Sequence, residues 1–218
     1  MTSRWTYPDG KLWFSRAFVA RQAWDGRFLE LAGKTVAIVG NAQSLMESGH
    51  GAEIDAYDVV IRMNCGLPTN PEDQGRRTDI LAFSTLAVVK AVFRRFHAGE
   101  HIWMSPKLRA DIGQFAEVPE NLSFYNIDRW EALEARLGAR PSVGAMVLDL
   151  VSSFNPAAVG VFGYDFKRTL TWYEPKQHIG PHSYEAEERF CEELAGAHGW
   201  LLVRDYAPPC ETAGAEPD

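Results

Sequence analysis

The stretch from Thr35 to Asn64, TVAIVGNAQSLMESGHGAEIDAYDVVIRMN, narrows the fold more than any other part of the chain. It opens on an apolar run, Val36 to Val39, closed by Gly40. That run is too short for a helix and has the pattern of a short buried strand. Asn41, Ala42, Gln43 and Ser44 make a polar turn, and Leu45–Met46 begin a short helical or looping return. A second apolar run, Val59 to Ile61, follows an acidic segment and ends on Arg62–Met63–Asn64. Two buried strands that each finish in a polar turn are how an open α/β sheet builds a ligand crevice at its carboxyl edge. Asn41 and Asn64 belong at such strand ends. Their amides can donate to phosphate oxygens or read a base edge without adding charge.

The rest of the chain extends the pattern. Ile80 to Phe83, His101 to Met104, Leu122 to Tyr125 and Val159 to Phe162 read as further strands. Leu86 to Phe96, Trp130 to Leu137 and Ala145 to Phe154 read as helices, the second stopped by Gly138 and Pro141. Cys65 to Pro71 is a loop by its Pro, Gly and Asn content. Strands alternating with helices predict a Rossmann-like α/β/α sandwich with a mostly parallel central sheet. A chain of 218 residues suits one domain with a sizeable core. Residues 34–208 are read as that domain, 1–33 as a helical, aromatic extension packed on it, and 209–218 as a polar tail. Trp5, Trp13 and Trp24 in the extension suit core packing better than stacking on a sugar.

Composition removes several classes of function. The formal net charge is -7 and no long basic run occurs, which argues against nucleic acid as a partner. The three cysteines, Cys65, Cys191 and Cys210, form no CxxC pair and support neither a disulfide framework nor a zinc site. No run of about eighteen apolar residues is present, so no transmembrane span is expected. The turn after Gly40 lacks GxGxxG spacing, because Ala42 and Leu45 stand in it, which speaks against a dinucleotide-dependent oxidoreductase.

Two later stretches carry chemistry. Pro141–Ser142–Val143–Gly144 opens a helix, so Ser142 sits near the N-cap and the first backbone N–H groups point outward. Such a helix start favours an anionic phosphate. His182 stands just before an amphipathic helix, Tyr184 to Leu194, which carries Glu185, Glu187 and Glu188. A histidine there is by default a surface residue, and Glu187 suits a helix cap as well as a ring partner. A base role needs a histidine able to take a proton near neutral pH, and a neighbouring carboxylate supports that.

Taken together these motifs resemble the family 29 sialyltransferases, which transfer sialic acid from CMP-sialic acid. The order VxIVGN…L…SGxGxEID…DxVIRMN looks like that family's large motif. Pro141 to Gly144, followed by a helix and a strand ending in Gly163–Tyr164, looks like its small motif. Val143 replaces a threonine there and removes a hydroxyl offered to the nucleotide. Tyr173–Glu174 match a short His-Tyr-Tyr-Glu-like motif, but Thr171 occupies its histidine position. In the family that histidine is thought to contact the donor phosphate or aid the leaving group, and His178 is one candidate to replace it. His182 and Glu187 match the spacing of the final His-x-x-x-x-Glu motif.

The resemblance implies a glycosyltransferase of the GT-A-variant fold with a CMP-sugar donor, sialic acid or Kdo, and a glycan acceptor. It implies no metal cofactor, since a monophosphate leaving group needs less neutralisation than a diphosphate and the chain has no Asp-x-Asp. The implied donor site comprises Asn41, Ala42 and Asn64 from the large motif and Ser142, Val143 and Gly144 from the small one. Gly163, Tyr164 and Tyr173 complete it. His182 is the implied catalytic base, with Glu187 orienting its ring. Animal members carry a membrane anchor and a disulfide between the two main motifs; the corresponding positions here are Val36 and Asn155. Neither feature is read in this sequence, and the resemblance then implies a bacterial-type enzyme, cytoplasmic and at most peripheral at the inner membrane. An inactive relative that binds CMP without transfer is the alternative.

Overall fold

A computed structural model of the chain describes residues 30–84, 98–105, 122–174, 176 and 180–204. Seven strands form one sheet: β1 (Thr35–Val39), β2 (Val59–Met63), β3 (Ile80–Phe83), β4 (Glu100–Trp103), β5 (Leu122–Phe124), β6 (Ala158–Phe162) and β7 (Leu201–Leu202). Their spatial order is β5-β4-β3-β2-β1-β6-β7. Every pairing is parallel. The chain therefore winds outward from β1 to β5, then returns to lay β6 against the other side of β1. That reversal makes the β1/β6 boundary the topological switch point, where an open α/β sheet leaves a crevice beyond its strand carboxyl ends.

Five helices are described: α1 (Gly51–Ala56), α2 (Pro71–Gln74), α3 (Ile127–Leu137), α4 (Val143–Ser152) and α5 (Tyr184–His198). The sheet is apolar on both faces because side chains alternate along each strand. Val36 and Ile38 of β1 pack with Val59, Ile61 and Ile102 under α3, α4 and α5, which contribute Trp130, Leu133, Met146, Leu150 and Phe190. Ala37 and Val39 face the opposite side with Val60, Phe162, Leu45 and Ile54 of α1. The chain is thus an α/β/α sandwich, as the strand–helix alternation predicts.

Differences from the expected boundaries have local causes. α3 starts three residues before Trp130 because the Asn126 side chain accepts from the Arg129 N–H and caps the helix at Ile127. It stops on Gly138, which takes the left-handed conformation at φ 65°. α4 starts at Val143 rather than Ala145, immediately behind its Ser142 cap. The 65–71 loop runs into the single turn of α2, capped by Asn70, whose side chain accepts from the Glu72 N–H. β7 has only two residues and no readable pattern in the sequence. The helix expected over 86–96, all but the last residues of the N-terminal extension, the polar tail, His178 and Cys210 lie outside the described residues. Among the described residues no helix is long and apolar enough to cross a membrane.

Candidate active site

The carboxyl ends of β1, β2, β3, β4 and β6 open into a cavity of about 630 Å³. Its floor is the switch point. The Gly40 N–H donates to Phe162 O at 2.8 Å and the Ala42 N–H to Gly163 O at 3.2 Å, so the chain leaving β1 hugs the chain leaving β6. A Cβ on Gly40 would lie 2.2 Å from Gly163 O, and Gly163 itself has φ +63°. Both glycines are needed for this approach. All the donor-site and catalytic positions singled out from the sequence line this cavity.

The start of α4 forms one wall. Ser142 accepts the Ala145 N–H on its Oγ at 3.1 Å, and its carbonyl accepts the Met146 N–H. The N–H groups of Val143 and Gly144 have no protein acceptor among the described residues, and both residues line the cavity. Two donors at the positive end of a ten-residue helix form an anion cradle. Because these donors are backbone groups, valine at position 143 leaves the cradle intact. Ser105 lies across the cavity, at the end of β4. It is 1% exposed, and among the described residues its hydroxyl has no hydrogen-bond partner.

Glu187 departs from its expected role. Its side chain does not hold His182; its two oxygens accept the Ser142 N–H at 2.8 Å and the Ser142 hydroxyl at 2.6 Å. It therefore ties the first turn of α5 to the cap of α4. Burial raises its carboxyl above the ordinary range, opposed by the two Ser142 bonds and by the nearby Lys167 charge. His182 is oriented instead by a backbone group: its Nδ1 lies 2.7 Å from Arg140 O. A carbonyl only accepts, so Nδ1 carries the proton and Nε2 is the basic nitrogen of the neutral ring.

The two asparagines divide their work differently from the expectation. Asn41 Nδ2 donates to Met63 O at 3.0 Å and to the Tyr173 hydroxyl at 3.2 Å. Asn41 is thus a brace joining the ends of β1 and β2 to the 171–174 segment, and its donors are already engaged. Burial, with the neighbouring Cys65 thiol, pushes the Tyr173 phenol up to about 12. Asn64, in contrast, sits at φ 52° with only its backbone N–H engaged, on Ala82 O. Among the described residues nothing bonds its side-chain amide, which remains available to a ligand. Tyr164 spans the floor, its hydroxyl donating to Gly144 O at 3.3 Å, and burial raises it well above the usual phenol range.

The segment after β6 folds over the crevice and contributes a residue the sequence reading passed over. Asp165, 3% exposed, accepts the N–H groups of Lys167 at 3.0 Å and Thr169 at 2.8 Å. The turn it organises places Phe166 and Lys167 in the left-handed region, with φ 52° and 67°. Lys167 then lines the cavity, with Nζ 2.6 Å from the Thr171 hydroxyl. The sequence carries little signal for this, since a lysine in a polar loop reads as a solvated charge. Gly75, Arg76 and Thr78, in the loop after α2, are not in the cavity lining. Their loop wraps instead around the buried Arg62, which donates to Gln74 O at 2.6 Å and Arg77 O at 2.8 Å, and around Asp55, which accepts the Arg76 and Arg77 N–H groups.

Comparison with known proteins agrees with this architecture. The model of glycosyltransferase family 29 (sialyltransferase) matches residues 14–110. No curated protein matches the chain significantly. A solved mammalian sialyltransferase, alone and in complex with Gal-beta-1-3GalNAc-ortho-nitrophenol, is similar at a TM-score of 0.65 and 20% identity, covering 87% of this chain and 79% of that one. A point variant of the sialyltransferase CST-II in complex with CMP is similar at 0.56 and 14% identity, covering 78% and 80%. The family match thus spans the head of the chain, and the fold is the one shared with these solved sialyltransferases.

Proposed function

We propose that this protein is an inverting, metal-independent glycosyltransferase that moves an acidic sugar, sialic acid or Kdo, from its CMP ester to a glycan hydroxyl. One observation carries the reading: a single cavity at the switch point holds both the bare N–H groups of α4 and a histidine whose Nδ1 is locked as a donor. In the reaction the acceptor oxygen attacks the anomeric carbon while the bond from that carbon to the phosphate oxygen breaks. The electron pair leaves with CMP, and the acceptor proton passes to His182 Nε2. The Val143 and Gly144 N–H groups receive the phosphate, and Asn64 supplies a neutral amide donor. Preorganised donors of this kind stabilise charge as it develops on a leaving group. The chain's free thiols, Cys65 and Cys191, suit a cytoplasmic setting.

The test is transfer from CMP-sialic acid and CMP-Kdo to a panel of bacterial surface glycans, run in EDTA. His182→Ala should lower kcat by about 10²–10⁴-fold, the range of a positioned acid–base group, and leave CMP affinity unchanged. A rate that appears only with Mg²⁺ or Mn²⁺ overturns the metal-free part of the reading. The second reading, a CMP-binding relative without turnover, is favoured by Thr171 at the motif's histidine position. CMP binding without transfer from either donor would establish it.

A further inference from the structure

We propose that Lys167, held by Thr171, supplies the positive charge that neutralises the donor phosphate, in place of the missing motif histidine. The inference rests on the CMP-sugar reading above and names a charge that the reading does not use. Three observations support it. First, Lys167 is partly buried and lines the cavity that holds the α4 N-terminus, and among the described residues no carboxylate forms an ion pair with its ammonium. Its ammonium donates to the neutral Thr171 hydroxyl at 2.6 Å. A cation withdrawn from water is ordinarily paired, and an ammonium bonded to a neutral hydroxyl can still take an anion.

Second, the lysine is presented deliberately. Asp165 is buried beneath the turn and spends its oxygens on the Lys167 and Thr169 N–H groups and the Thr169 hydroxyl. Asp165 therefore fixes the backbone that aims Lys167 inward, at a φ of 67° that a non-glycine residue rarely adopts. Third, the anchoring threonine is itself 9% exposed and bridged to Ala42 on the floor of the crevice. The Lys167–Thr171 pair thus stands where the segment after β6 meets the turn after β1. Burial lowers the ammonium from its ordinary value, while the Asp165 and Glu187 carboxylates act in the opposite direction. A bound phosphate adds to those carboxylates and holds the lysine charged.

Calorimetry with CMP and with cytidine tests the proposal, because the two ligands differ only by the phosphate. In the wild type CMP should bind more tightly than cytidine. Lys167→Met should reduce that phosphate advantage by about 10- to 100-fold, as expected for a charge-assisted hydrogen bond, with cytidine affinity unchanged. Lys167→Arg should keep most of the advantage. Lys167→Gln, which retains a donor for Thr171 without the charge, should behave like the methionine variant and covers the case in which that one misfolds. A wild type that binds CMP, with Met and Gln variants that bind it equally well, overturns the proposal and leaves the CMP-sugar reading standing. Equal losses for CMP and cytidine overturn it too, by showing a purely structural lysine. A folded wild type that binds no CMP overturns both.

Discussion

Asn64 combines two properties that substitution by alanine would confound. Its backbone lies at φ 52°, where a Cβ is strained, and its side-chain amide lines the cavity without a partner among the described residues. Glycine adopts that backbone readily, so Asn64→Gly removes the amide and spares the turn. We expect the variant to unfold within about 1 kcal/mol of the wild type in urea, and to weaken CMP by about 1–3 kcal/mol in calorimetry. Unchanged CMP affinity would remove Asn64 from the donor site. Asn41 is the contrasting case: both strand-end asparagines look alike in sequence, yet Asn41 spends its donors on Met63 O and Tyr173. Whether a strand-end amide serves the ligand or the scaffold depends on what lies opposite it, and that is set by other strands.

At the scale of elements, the joint between α4 and α5 is the feature with consequences. Glu187, in the first turn of α5, satisfies the Ser142 N–H and hydroxyl at the start of α4 and so fixes the helix end that bears the anion cradle. Glu187→Ala should cost about 1–3 kcal/mol, the penalty of a buried donor left unpaired. Glu187→Gln keeps an acceptor and should cost less, with a characteristic pH dependence. Burial raises the Glu187 carboxyl above its ordinary value of 4.5. A raised folded-state value means that the protonated form is the stabilising one: its contribution is full below 4.5 and is lost as pH rises through the folded-state value. The glutamine variant has no such loss. Urea midpoints at pH 4 and pH 7 should therefore show Glu187→Gln gaining on the wild type as pH rises. A gap that widens instead would show that the ionised form, held by Ser142 and Lys167, is the stabilising one.

For the molecule as a whole, the order of the strands decides where anything can bind. The reversal between β1 and β6 brings Gly40 against Gly163 with no room for a methyl group. Gly40→Ala should force those strand ends apart, costing about 1–3 kcal/mol of stability by overpacking, and should weaken CMP at least about tenfold. Gly196→Ala is the matched control: it lies in α5 with nothing within 4 Å of a new Cβ. There alanine should stabilise by about 0.5–1 kcal/mol and leave CMP binding untouched. A Gly40→Ala protein that binds CMP normally would show that the close approach is dispensable.

At that same scale the sequence and the tertiary structure contributed different things. The strands at the head of the chain, the helix start at Ser142 and the parallel sandwich were all legible, because they follow from local rules. Apolar runs of strand length, an N-capping hydroxyl and strand–helix alternation act over a few residues each. The motif string around Asn41 and Asn64 was legible for the same reason, being contiguous. What only the folded chain decided is the assignment of partners. His182 takes its orientation from the Arg140 carbonyl, and a carbonyl belongs to every residue and leaves no mark in a sequence. Glu187 reaches back 45 positions to Ser142 instead of its near neighbour His182, because α5 packs alongside α4. Lys167 turns inward because buried Asp165 fixes two successive residues in the left-handed region, a backbone choice that side-chain chemistry alone does not announce. Short-range periodicity and capping are written in adjacent residues; the pairing of charges and donors is settled by which strand ends the sheet brings together.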